Sequence, residues 1–317
     1  MAFVASPPTF GRYHRSMSAS ESLPDFEFAT IAAEIAREAG ALLSYFYDRG
    51  VATEYKGDVD LVTEADRASE TLIKSRLAAA FPTHGIYGEE GTRDRLTAEY
   101  RWYVDPLDGT TNFAHGFPSF CVLLGLEHRP KGTSPDQDGV MVSGIIYDPL
   151  RDELFLAERG KGAWLVNRAG QARRIHVSKC KNLAESLTAT GFPSKKRHGS
   201  PNIHFYQEFT LRSHGVRRAG SAGLDLAYVA CGRLDGFWEF TLNPWDTSAG
   251  YLMVEEAGGK MTHFDGSPFT LNSIENLATN GLIHAEMVEL FDNMFHGRDL
   301  SPILTPAEFR ANRESGR

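Results

Sequence analysis

The 317-residue chain holds only three cysteines, Cys121, Cys180 and Cys231, widely spaced and without a CxxC pair. That scarcity excludes a disulfide scaffold and a cysteine-built zinc site, and it fits a reduced cytoplasm. No apolar run is long enough to span a bilayer. Positive charge is in deficit as well. A net charge of -8 speaks against a general nucleic-acid surface, and part of it could be a carboxylate cluster that a cation neutralises. No repeat of fixed period and no low-complexity domain is present. Residues 1–24 lack the continuous apolar core of a secretory signal and are expected to form a disordered tail. What remains is an ordinary globular composition, 42% apolar and 23% charged, on a chain long enough to bury a large core.

Periodicity divides this chain in two. Phe28, Ile31, Ile35, Ala39, Leu42, Leu43 and Phe46 recur at helical spacing, predicting a first helix over 25–49 that Gly50 ends. Thr63 can cap a second helix reaching about Phe81. Strand-like segments then follow one another at 85–91, 120–128, 144–149, 154–158 and 162–166, with a polar Pro/Gly/Asp-rich connection over 129–139. Residues 25–185 therefore read as an α+β half, its antiparallel sheet packed on the first helices. From about Ser186 strands and helices alternate through residue 295 in α/β style, and 296–317 read as a C-terminal tail.

The chemistry concentrates at residues 102–113. Trp102, Tyr103 and Val104 read as a buried strand that Asp105 stops, with Pro106 preventing the ladder from continuing. Within one turn come the carboxylates of Asp105 and Asp108, the carbonyl of Leu107 and the hydroxyl of Thr110. These are all oxygen donors, the kind a hard divalent cation such as Mg²⁺ selects. Gly109 frees the turn, and Thr110, Thr111 and Asn112 suit the start of a helix whose unpaired amides would seat a phosphate. Alone, the stretch is also an ordinary polar turn. Three further acids accompany it: Glu89 between glycines, Asp246 at a helix start, and Asp66 after Val-Thr-Glu-Ala. Taken singly, Asp246 reads as a helix cap and Asp66 as a solvated loop acid. The eleven histidines are scattered, and neither a cysteine phosphatase loop nor a Ser-His-Asp order stands out.

Together, the blocks Asp60-Leu61-Val62-Thr63 with Asp66, Gly88-Glu89-Glu90, Trp102 through Phe113, and Trp245 through Gly250 running into Glu256 to Gly259 resemble the inositol monophosphatase family over about Phe26 to Phe295. The resemblance implies a layered αβαβα sandwich of the inositol monophosphatase and fructose-1,6-bisphosphatase type. It also implies a lithium-sensitive, Mg²⁺-dependent phosphomonoesterase, and a homodimer. In it Glu89, Asp105, Asp108, Asp246 and the Leu107 carbonyl would hold two or three Mg²⁺ ions. Thr110 and the Gly109 and Thr110 amides would hold phosphate and orient the attacking water. Glu89 would act on that water, and Asp66 would lie in an outer shell. Lys56 matches a basic residue ahead of the Asp-Leu-Val-Thr block. Gly220, Ser221, Ala222 and Glu239 match positions that face the inositol hydroxyls, beside Asp108 and Asp246. Arg217 and Arg218 fit phosphate or dimer contacts, or plain exposed arginines. Leu107 departs from the usual isoleucine, and the 129–139 connection is longer than typical.

Such a cluster suits hydrolysis of a phosphate monoester, because paired cations offset the dianion's charge and ready water near neutral pH. Inositol monophosphate is the expected substrate. Histidinol phosphate, fructose 1,6-bisphosphate and 3′-phosphoadenosine 5′-phosphate are the alternatives, and a non-catalytic partner-binding protein of the same fold is a different class. The partner is otherwise a small phosphorylated polyol, with no nucleic acid or membrane expected.

Overall fold

The computed structural model describes residues 20–50, 53–55, 61–131, 133, 138–192, 200–302 and 308. Lys56, Asp60, most of the N-terminal and C-terminal tails and part of the 129–139 connection lie outside the described residues.

In chain order the first half comprises α1 (Ala29–Arg49), β1 (Thr53–Tyr55), β2 (Leu61–Thr63), α2 (Glu64–Ala80), β3 (Gly85–Gly88), β4 (Arg93–Asp94), β5 (Tyr100–Asp108), α3 (Thr110–Ala114), β6 (Cys121–His128), β7 (Val140–Asp148), β8 (Glu153–Glu158), β9 (Gly162–Val166) and β10 (Ala172–Ile175). The second comprises β11 (Leu187–Thr190), α4 (Asn202–Arg212), β12 (Gly215–Arg217), α5 (Ala222–Ala230), β13 (Gly236–Phe240), α6 (Pro244–Glu256), β14 (Lys260–Thr262), β15 (Glu275–Thr279) and α7 (His284–Phe295).

An eight-stranded sheet of order β10-β9-β8-β7-β6-β5-β3-β4 forms the first half's frame. It is antiparallel except where β3 and β5 run parallel. The second sheet has order β12-β11-β13-β15-β14, parallel at β12-β11-β13 and antiparallel beyond.

Three hydrophobic clusters set the layers. Ile35 and Leu43 of α1 and Ile73 and Leu77 of α2 bury against Trp102, Val104 and Leu124 on one face of the large sheet. On its other face Tyr103, Leu123 and Phe155 meet Leu226 of α5 and Leu252 and Met253 of α6, which also cover Phe237 and Ala278 of the small sheet. Phe205 and Phe209 of α4 and Met287 and Phe291 of α7 then close the small sheet's far face over Trp238. The result is the five-layer αβαβα sandwich, with apolar clusters filling each gap.

Two local expectations need correction. Ile31 is 41% exposed, because α1 docks through its small residues: a Cβ on Gly40 would run into the Tyr147 ring at 2.6 Å. The strand also does not stop at Asp105. β5 continues to Asp108 because its register with β6 shifts between Asp105 and Asp108, leaving Pro106 and Leu107 outside the ladder. At such an irregularity the missing proline N–H costs nothing. Sequence periodicity also left β10, β15 and α7 unassigned.

The middle helix α6 approaches the large sheet through glycines. A Cβ on Gly144 would stand 2.7 Å from the Ala249 carbonyl oxygen, and one on Gly125 would meet Ser248. Gly144→Ala is therefore expected to lower the urea midpoint by an amount equivalent to about 1–3 kcal/mol of overpacking. An unchanged midpoint would contradict this close approach.

Candidate active site

Strand direction brings the first acids together. β3 and β5 are parallel neighbours, with Gly88 paired to Val104, so their C-terminal ends lie side by side. The Glu89 N–H donates to the Val104 carbonyl at 3.0 Å, which sets Glu89 next to Asp105. Glu70 of α2 fixes the loop beyond: its carboxylate accepts from the Glu90 N–H at 2.7 Å and the Thr92 N–H at 2.9 Å. Gly88 has to be small, since a Cβ there would meet that carboxylate at 2.6 Å.

Asp105 is 2% exposed, and its Oδ1 accepts from the Leu107 N–H at 2.9 Å, which folds the turn back on itself. Gly109 makes the bend at φ 93°, with no room for a Cβ, which would stand 2.8 Å from the Ser119 carbonyl oxygen. The Thr110 Oγ1 donates toward Asp66 Oδ1 at 3.0 Å and the Leu107 carbonyl at 3.1 Å. Asp66 is fully buried rather than solvated. Its Oδ2 accepts from Thr63 N–H and hydroxyl, closing the capping box of α2. Helix α3 after the turn is only five residues long and has no side-chain cap.

The second half supplies the other walls. Asp108 Oδ2 accepts from the Ser221 hydroxyl at 2.6 Å, the Gly223 N–H at 2.8 Å and the Cys121 thiol at 3.4 Å. Ser221 thereby spends its proton on Asp108 while its oxygen caps α5 through Leu224. Asn112 ties the halves together by donating to the carbonyls of Ser119, Ala219 and Gly220 at 2.7, 2.8 and 3.1 Å. Asp246 occupies the third position of α6, where its Oδ2 accepts from the Asn243 N–H at 2.7 Å. Asn243, not Asp246, is the N-cap. Glu239 lies one residue before the end of β13, its carboxylate so close to Gly191 that any side chain at 191 would collide with it. Gly220 and Ala222 flank Ser221 at the start of α5.

These acids perturb one another. The Asp105 carboxyl is pushed well above the ordinary range, first by burial and then by the charges of Glu89, Asp108 and Asp246. Burial raises Asp108 too, opposed by its bonds from Ser221 and Gly223. Asp246 is pushed to about 7 by burial, against the Asn243 bond and with help from Asp108 and Glu239. Glu239 is pushed to about 8 by burial, Asp225 and Asp108, with Arg218 pulling it down. Among the described residues no three His, Cys, Asp or Glu side chains close around a common point. The oxygen-only donor set and its accumulated like charge nonetheless fit a hard divalent cation.

The pattern of the inositol monophosphatase family matches residues 26–294. A protein of Synechocystis sp. named Inositol-1-monophosphatase is 43% identical over 262 residues, covering 81% of this chain and 86% of that protein. The Pseudomonas aeruginosa protein named Nus factor SuhB is 42% identical over 245 residues, covering 75% of this chain and 85% of that one. The solved inositol monophosphatase of Anabaena aligns with a TM-score of 0.72 at 40% identity, over 87% of this chain and 97% of that chain. This chain belongs to the inositol monophosphatase family. Membership supports a phosphatase acting on a small phosphorylated substrate, in a family that is generally Mg-dependent. No helix among the described residues is long and apolar enough to cross a membrane.

Of the residues that the sequence pointed to, Glu89, Asp105, Asp108, Asp246 and Glu239 come within electrostatic reach of one another, and Thr110 joins Asp66 to Leu107. Arg217 and Arg218 are exposed, Arg218 near the acids and Arg217 on β12. Sequence reasoning missed Glu70 and the Cys121 thiol beside Asp108, and read Asn112 only as a helix starter. Only Glu70 carried a signal, lying four residues after Asp66 on the same face of α2.

Because the folded-state pKa values of Asp246 and Glu239 are raised to about 7 and about 8 from ordinary values of 3.8 and 4.5, the folded state holds protons that the unfolded chain has lost. Stability therefore falls as pH rises through that window. In chelator, the melting midpoint is expected to be lower at pH about 8 than at about 5. A midpoint that climbs across this interval would contradict the arrangement.

Proposed function

We propose that this chain is a Mg²⁺-dependent phosphomonoesterase that hydrolyses inositol monophosphate to inositol and phosphate. The observation that carries the reading is Asp105, buried and raised by the carboxylates of Asp108 on its own strand, Glu89 beyond β3 and Asp246 on α6. Burying like charges together is costly, and a divalent cation is what offsets it.

Glu89, Asp105, Asp108, Asp246 and the Leu107 carbonyl would hold the ions. When bound, paired cations supply charge against the phosphate dianion and favour ionisation of water near neutral pH. The protein's own part is positional. Thr110 Oγ1 gives its proton to Asp66 or Leu107, so a lone pair remains to accept a hydrogen bond from the attacking water. Asp66, raised by burial against the bonds from Thr63 and Thr110, is a better proton acceptor than a solvated aspartate and would take up the proton that Thr110 relays. Glu89 would act on the same water. The Gly109 and Thr110 amides would hold the phosphate oxygens. The Gly220–Ala222 turn and Glu239 would face the alcohol. Glu239 can accept hydrogen bonds from a polyol, and an analogue lacking that hydroxyl would leave it unpaired.

The relatives named Nus factor SuhB suggest a second reading, in which the chain serves as such a factor through a partner. The complete set of carboxylates, Asp105 buried and Glu89, Asp108 and Asp246 half-buried around it, favours catalysis, since crowding like charges is costly without a ligand.

With Mg²⁺ present, phosphate release is expected to be faster from inositol 1-phosphate than from histidinol phosphate, fructose 1,6-bisphosphate or 3′-phosphoadenosine 5′-phosphate. A histidinol phosphate rate far above the inositol phosphate rate would overturn the substrate assignment. Asp105→Asn and Asp246→Asn should each lower kcat/KM by more than about 100-fold. Release indifferent to both changes would favour the partner-binding reading.

A further inference from the structure

The large sheet carries a second concave site, away from the acids of the candidate active site. A cavity of about 530 Å³ opens between the β3–β4 edge of that sheet, the 129–139 connection and the start of α6, with Tyr87, Arg93, Arg101, Tyr103, Arg129 and Pro244 among its walls. That size suits a small molecule. Arg101 and Tyr103 alternate with Trp102 on β5, so they belong to the sheet face that α6 covers. Arg101 lies four residues before Asp105, about 13 Å away along an extended strand.

Its charge is opposite in sign to that of the chain. Glu127, fully buried behind the cavity, is the acid partner of two arginines, its Oε2 lying 2.9 Å from Arg101 and 3.5 Å from Arg129. The same carboxylate accepts from the Tyr103 hydroxyl at 3.2 Å and from the Gly139 N–H. One acid thus serves two guanidiniums, and Arg129 is only 6% exposed. Arg93 adds a third. It donates to the carbonyls of Gly88 and Thr92 and covers the Tyr87 ring at 3.8 Å, contacts that orient its charge without neutralising it. Lys131 stands at the rim. The two acids that line the cavity are engaged elsewhere. Glu99 is exposed and pairs with His128 at 3.3 Å, and Asp138 accepts from the Leu271 N–H at 2.7 Å and the Asn272 amide at 3.1 Å. Four cations therefore meet three acids, in a chain whose net charge is -8. Among the described residues, Arg93 Nε and Nη2 and Arg101 Nη1 have no protein acceptor.

We propose that this cavity binds a small organic anion, a carboxylate or phosphate group carried on a compact apolar body. Guanidinium N–H groups suit the oxygens of such a head group, and hydrogen bonds to a charged acceptor are the strong ones. The apolar body would lie against Leu96, Pro130 and Pro244. The positive excess disfavours a cation of the same shape. Occupancy needs neither Mg²⁺ nor turnover, so the site is independent of the phosphatase reading above.

The test is calorimetric titration of metal-free protein at pH 7 with phenyl phosphate, benzoate, inorganic phosphate and benzylammonium. The metal is removed on a chelating resin, because soluble chelators are themselves organic anions. Saturable binding of phenyl phosphate or benzoate, one per chain, is expected, with inorganic phosphate weaker and benzylammonium unbound. Whichever of the two organic anions binds more tightly names the head group. Arg101→Gln is expected to weaken that binding about 10-fold and Lys131→Gln about 3-fold, while Asp105→Asn binds as wild type does. Arg101→Gln leaves Glu127 paired with Arg129, and the exposed Lys131 supplies a second variant whose folding is not at stake. Arg93 is kept, since it also braces the Gly88 carbonyl ahead of Glu89. No binding of either organic anion, equal binding of benzylammonium, or binding that survives both cation substitutions would overturn the site. Inorganic phosphate bound as tightly as phenyl phosphate would overturn the organic ligand, and binding lost in Asp105→Asn alone would move the anion to the acids.

Discussion

Repulsion among carboxylates is the constraint on which the rest of this structure depends. Asp105 lies at the C-terminal end of β5, beside Glu89 at the end of parallel β3, and faces Asp108 and Asp246. Left alone, these charges would push the loops apart. They are held by the packed sheet beneath and by neutral donors that each acid recruits: Leu107 N–H for Asp105, Ser221 and Gly223 for Asp108, Asn243 for Asp246. None of those donors carries charge. The local field therefore remains negative, which suits a divalent cation.

The scaffold explains how such a site is tolerated. Its acids come from the ends of strands and the starts of helices, while the interior layers are apolar and tightly joined. Glycines let α6 settle on β6 and β7, fixing Asp246 from one side, and Asn112 stitches the turn after β5 to the loop before α5 from the other. Destabilisation is thus confined to the rim where a ligand can relieve it. Such local strain, carried by a stable frame, is a common feature of functional sites.

How much of this was legible in the sequence depended on whether a residue's role is local. Asp105, Leu107, Asp108 and Thr110 share one turn, so their donor chemistry could be read from neighbours alone, whereas Asp246 alone reads as a helix cap and joined them only through the family resemblance. Helical and strand periods gave an α+β first half and an α/β second half, and the layered sandwich came from the family resemblance. Ile31 misled because α1 buries its alanine face instead, a choice made by the close approach at Gly40. Pro106 misled because a shift of register inside β5 removes the need for its N–H. Glu70 and Asn112 work by bracing loops far away in sequence. No local pattern announces such pairings.

The central claim is that the crowded carboxylates retain protons which divalent cations displace, and calorimetric titration with Mg²⁺ at pH 7 in buffers of different ionisation enthalpy tests it directly. Saturable binding that releases protons is the expected result, since ions displace the protons that raised pKa values retain. Binding without proton release, or no binding at millimolar Mg²⁺, would contradict it.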